Sequence, residues 1–143
     1  MKRSTFIRVA LAAMLGHRSS LADTPPFVII IHPSNANVKL ARKFVADAFL
    51  KKTTRWRNDD VIRPVDLVPD SNVREKFSQE VLKRSVSEVK SYWQQVIFSG
   101  RDVPPPELPD EDAVIKFVAK NAGAIGYVSG NAKLTDVRAV VLE

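Results

Sequence analysis

Apolar positions along this chain change period several times, and each change marks a predicted element. Phe27-Val28-Ile29-Ile30-Ile31 is apolar on both faces and rich in β-branched residues, then stops at His32-Pro33-Ser34-Asn35. That pattern predicts a buried strand followed by a turn. From Val38 the apolar residues fall at Ala41, Phe44, Val45, Ala48 and Phe49, the spacing of one helix face. Val61 to Leu67 reads as a second extended segment, which Pro64 places at an edge or starts after the proline. Pro69-Asp70-Ser71 offers a helix start, with Val73, Phe77 and Val81 on one face.

The next helix is better signed. Ser85 with Glu88 three residues on is a capping box, and Val86, Val89, Trp93, Val96 and Ile97 form its stripe. Ser99-Gly100 supplies the stop. The four prolines between Val103 and Pro109 exclude a helix or a central strand there. Asp110, Glu111 and Asp112 place negative charge at the start of a further helix, with Lys116 and Lys120 toward its end, as the helix dipole favours. Ala124 to Val128 and Val137 to Leu142 close the chain as two strands around a Gly130-Asn131 turn. Roughly four strands and four helices, mixed along the chain, predict an α/β or α+β sandwich with a mostly buried sheet.

The amino terminus follows another logic. Lys2, Arg3 and Arg8 precede the short apolar run Val9 to Gly16, and Ser20-Leu21-Ala22 is a small-residue site before Asp23. Basic, apolar, small is the order of a cleaved export signal, and the run is too short to span a bilayer, which takes about 20 residues. The expectation is a signal peptide over 1–22 and one domain over 23–143, with no membrane span after cleavage. Charge then changes meaning: residues 1–22 hold four cations and no acid, so the formal +6 of the whole chain falls to +2 for the rest. A nearly neutral domain does not read as a nucleic-acid binder, which needs many clustered cations, and Lys51, Lys52, Arg55 and Arg57 form the one basic cluster, more in keeping with a solvated helix end. Cysteine is absent, so packing alone must hold the fold.

Several segments resemble a known family. Ala48-Phe49-Leu50-Lys51-Lys52-Thr53-Thr54-Arg55-Trp56 is similar to the "iFlGK…W" segment of phosphate-type periplasmic solute-binding proteins of ABC transporters, and Ile62-Arg63-Pro64-Val65 resembles the stretch after it. Ser71-Asn72-Val73-Arg74-Glu75-Lys76-Phe77 sits where that family has its anion-binding turn before a phenylalanine. Gly123-Ala124-Ile125-Gly126-Tyr127-Val128 resembles its closing "GAIGYv", and Phe98-Ser99-Gly100-Arg101 with Pro104-Pro105-Pro106 looks like a subgroup of one-lobe members. Two departures stand out: the length suffices for one lobe where the full-length proteins have two, and Lys51 replaces a glycine while the glycines and threonine of the anion turn are absent around Ser71. The resemblance implies a three-layer, sandwich-like single lobe of the type 2 periplasmic-binding-protein class. It implies an exported protein of the bacterial periplasm that binds phosphate or a similar oxyanion, with an ABC permease or another envelope protein as partner. The alternative is a one-lobe derivative that has lost solute capture and serves as an envelope interaction or sensory module.

The residues themselves permit a narrower reading. With Ser71 as N-cap, the amides of Asn72, Val73 and Arg74 stand unpaired at the positive end of a helix, a ready site for an oxyanion that Arg74 would also bridge. The other reading is an ordinary serine cap beside a surface arginine. Ser34 and Asn35 follow the first strand at its C-terminal end, where open α/β sheets place ligands, yet both are also common turn residues. His32, the one histidine beyond residue 22, reads as a turn residue, and no zinc-ligand spacing accompanies it. Neither a metal nor a cofactor is expected. No nucleophile elbow, phosphate loop, dinucleotide fingerprint or histidine-anchored triad occurs, so catalytic residues are expected to be none and an enzyme is disfavoured.

Overall fold

A computed structural model describes residues 24–143, so the expected leader and its cleavage site at Ala22 lie outside the described residues. In chain order the elements are β1 (Val28–Ile31), β2 (Lys39–Leu40), α1 (Arg42–Phe49), β3 (Arg63–Pro64), β4 (Asp66–Leu67), α2 (Asn72–Phe77), α3 (Val86–Phe98), β5 (Glu107–Leu108), α4 (Glu111–Lys120), β6 (Ala124–Val128) and β7 (Arg138–Leu142). A π-helical turn, Ser78–Leu82, extends α2.

Apolarity on both faces decides which strands take the centre. β1 lies between β6 and β7 and is antiparallel to both, with Ile30 opposite Gly126 on one side and Ala139 on the other. β2 adds to β7 and β3 to β6, each in parallel, which gives the order β2-β7-β1-β6-β3. All five residues of β6 are buried, as a strand covered on both faces must be. On one face Gly126 leaves room for α4: a Cβ there would come within 2.8 Å of Val114 and 3.1 Å of Val65. On the other, Tyr127 meets Phe49 of α1 and Phe77 of α2. Helices on both sides of a mixed sheet make the three-layer sandwich that the resemblance implies.

Local signals hold where they are strong. Ser85 Oγ accepts from the Glu88 amide at 3.1 Å while the Glu88 carboxylate accepts from the Ser85 amide at 3.2 Å, completing the capping box of α3. Asp110 Oδ1 accepts from the Ala113 amide at 2.8 Å and caps α4. Gly123 is required before β6, because its φ is +84° and a Cβ would stand 2.3 Å from the Val61 carbonyl oxygen.

Three expectations are corrected. Helix α1 starts at Arg42, because Lys39–Leu40 is drawn into the sheet beside β7 and Val38 lies exposed. The segment Val61 to Leu67 is two short strands: β3 joins the main sheet, whereas β4 leaves it to pair in parallel with β5. β6 and β7 are not neighbours around the Gly130-Asn131 turn, since β1 is inserted between them.

Candidate functional site

The turn from β4 into α2 is built by its serine. The Ser71 amide donates to the Val68 carbonyl at 3.0 Å, its Oγ accepts from the Arg74 amide at 3.2 Å, and its carbonyl accepts from the Glu75 amide at 3.1 Å. The Arg74 amide is therefore used, and the amides of Asn72 and Val73 are the two without an acceptor among the described residues. They adjoin an open cleft that Ser71 and Val73 line together with Asp110, Glu111, Asp112 and Ser129. Among the described residues no cation lines that cleft. The Glu111 carboxylate accepts from both the amide and the hydroxyl of Ser129, so a carboxylate of the chain itself occupies those donors.

Arg74 goes elsewhere. Its guanidinium is buried, donates through Nη1 to the Leu67 carbonyl at 2.9 Å, and forms an ion pair with Glu107. The structure thus gathers Ser71 and Val73 at one cleft, with Asn72 between them in sequence but not in its lining, and sends the charged end of Arg74 into another, lined by Asp66, Trp93, Pro105 and Glu107. Arg74 is not the surface arginine that the sequence suggests. Ser34 and Asn35 lie at a third hollow, beside Trp56 and Arg57. There Ser34 Oγ and the His32 ring nitrogen Nδ1 are 2.7 Å apart, while Asn35 Oδ1 accepts from the Asn37 side chain at 2.7 Å. Both residues are engaged in their own turn.

One polar group escaped the sequence reading. Asp66 is buried and accepts from the Tyr127 hydroxyl at 2.7 Å through Oδ1, and the same hydroxyl accepts from the Leu67 amide at 3.2 Å. Burial pushes the Asp66 carboxyl up from 3.8 to about 6, against the pull of Arg74 and of the Tyr127 hydrogen bond, while Glu107 adds to the rise. Burial, then the Asp66 charge, pushes Tyr127 far up and keeps it a neutral phenol. The available signal was a lone acid in the mostly apolar segment Val61 to Leu67, three residues after Arg63.

A carboxyl raised on folding binds protons more tightly in the native state, so its contribution is fully present below 3.8 and is lost as pH rises through about 6. At roughly 1.4 kcal/mol per unit, the whole effect is about 3 kcal/mol. Urea unfolding is therefore expected to show this term increasing stability as pH falls from about 7.5 to 5, with Asp66→Asn flattening the profile over that range. Parallel profiles for the two proteins would contradict the assignment.

No family model and no curated protein matches the sequence. Solved structures share the fold. The chain is similar to an ABC-type phosphate transport receptor from Vibrio cholerae, with a TM-score of 0.64 and 16% identity over 82% of this chain and 46% of that one. It is similar to a putative phosphate ABC transporter substrate-binding protein with bound phosphate from Clostridium perfringens, with a TM-score of 0.65, 23% identity and coverage of 82% and 44%. A third is PstS from Borrelia burgdorferi, with a TM-score of 0.60, 10% identity and coverage of 82% and 47%. The fold is that of these proteins, and the chain spans less than half of their length. Among the described residues no helix is long and apolar enough to cross a membrane, and no group of three potential metal-ligating side chains occurs.

Proposed function

We propose that this chain is an exported solute-binding lobe of the phosphate-transport type, with residues 1–22 as its leader, which presents the Ser71 turn to phosphate or a similar oxyanion in partnership with an ABC permease. The observation that carries this reading is the fold: 82% of the chain superimposes on phosphate-transport binding proteins, one of which holds phosphate. The free amides of Asn72 and Val73 support it, because they follow the C-terminal end of β4, where α/β sheets receive ligands.

Electrostatics set the strength. Arg74 is neutralised by Glu107, and Asp110, Glu111 and Asp112 flank the turn, so one lobe alone is expected to hold phosphate at about millimolar affinity, worth about 4 kcal/mol. Phosphate titration at low salt, followed by the amide resonances of Asn72 and Val73, tests this. Glu111→Gln removes one negative charge and is expected to tighten binding about fivefold, the equivalent of about 1 kcal/mol at a solvent-facing site. Unmoved resonances in both proteins would remove the reading.

The Glu111 to Ser129 contacts favour a second reading, because they fill anion-binding donors with the protein's own carboxylate. In it the lobe has lost solute capture and serves as an envelope interaction or sensory module. Silent phosphate titrations, together with one reproducible cross-linked membrane protein, are what it requires.

A further inference from the structure

The cleft that receives the Arg74 side chain shares no lining residue with the Ser71 cleft. Its volume is about 560 Å³, and Trp93 and Ile97 of α3 face it together with Pro104 and Pro105. Such walls suit an aliphatic or aromatic group. Asp66, Arg74, Glu107 and Lys90 supply its charge.

Two of these polar groups are incomplete. The Arg74 side chain is only 8% exposed and uses Nη1 alone, so Nε and Nη2 meet no acceptor among the described residues. Asp66 engages Tyr127 through Oδ1, and its Oδ2 has no donor among the described residues. No described buried side-chain nitrogen or oxygen is sealed off without a partner, so these atoms reach open space, and the cleft is the space both residues line. They do not close on each other: the ion pair of Arg74 is with Glu107. A group seated there must accept from a guanidinium and donate to a carboxylate, since leaving either unmet in a poorly hydrated site is costly.

Charge narrows the class. Asp66 and Glu107 balance Arg74 and Lys90, so a simple anion or cation is attracted by one pair and repelled by the other, whereas opposed charges on a short spacer match both. We propose that this cleft binds a free α-amino acid with a large apolar side chain, its carboxylate on Arg74, its ammonium on Asp66 and its side chain against Trp93 and Ile97. The site is separate from the proposed phosphate turn.

Calorimetry of the intact protein at neutral pH with phenylalanine and leucine tests it, alongside N-acetylphenylalanine and phenylalaninamide, which each lack one charge. Saturable binding of at least one amino acid is expected, with each analogue weaker by about tenfold or more. Ile97→Asp, at a half-exposed wall position, is expected to weaken binding by a similar factor, and Phe98→Asp, exposed on the same helix and outside this cleft, to leave it unchanged. Added phosphate is expected to leave the isotherm unaltered, which separates this site from the Ser71 turn. No saturable heat at about 10 mM of either amino acid, or an analogue binding as tightly as its parent, overturns the proposal.

Discussion

Phe77→Ala is expected to lower the unfolding free energy by about 3–5 kcal/mol, among the largest losses any single truncation in this chain should produce. Phe77 has no exposed surface, and its ring stacks on Tyr127 with centroids 4.0 Å apart and planes 8° from parallel. Phe27 meets it edge-on at 5.7 Å and Phe49 at 4.7 Å. One side chain from α2 therefore touches β6, α1 and the segment entering β1. Removing it opens a cavity at the junction of a helix layer with the sheet, where α2 continues as a π-helical turn and has little freedom to collapse inward. Urea unfolding should show a lower midpoint with an unchanged slope. Phe98→Ala is the control: that ring is 96% exposed, and its loss is expected to change stability by about 0.5 kcal/mol or less. Equal effects at the two positions would mean that the aromatic cluster does not hold the layers together.

The same cluster shows how far local sequence carried the fold. Phe77 was legible as a core position because Val73, Phe77 and Val81 repeat on one face, and α3 was legible because its cap and its stripe are both local. The place of β1 was not. Its two apolar faces announce a central strand, but its partners lie about a hundred residues onward, and no local signal says that it will part β6 from β7. A glycine turn between two strands reads as a hairpin unless a third strand competes for the pairing. The candidate site divides the same way. Ser71 as a cap involves a bond three residues long and was readable. The direction of Arg74 depends on Glu107, which reaches it because β4 and β5 pair with Asp66 opposite Glu107, a contact across the proline-rich segment. Register between two-residue strands leaves no periodic trace in sequence.

That pairing also frames the second large effect, Tyr127→Phe, which is expected to cost about 2–4 kcal/mol although it removes one oxygen and leaves the ring stack in place. The hydroxyl accepts from the Leu67 amide at 3.2 Å and donates to Asp66 at 2.7 Å. Phenylalanine would strand a buried amide and, at the same stroke, withdraw a charge-assisted bond from a buried carboxylate. The two losses respond differently to pH. The amide stays unmet at every pH, whereas the bond to Asp66 stabilises the ionised carboxylate, and in the native protein that carboxyl titrates at about 6. Without the hydroxyl its pKa is expected to rise further, so the variant's deficit should be larger at about pH 7.5 than at about pH 5, where much of Asp66 is neutral. Unfolding of the two proteins at both pH values separates the contributions. A deficit independent of pH assigns the whole cost to Leu67, and one below about 0.5 kcal/mol at both would mean that water replaces the hydroxyl and that this corner of the lobe is wetter than its burial suggests.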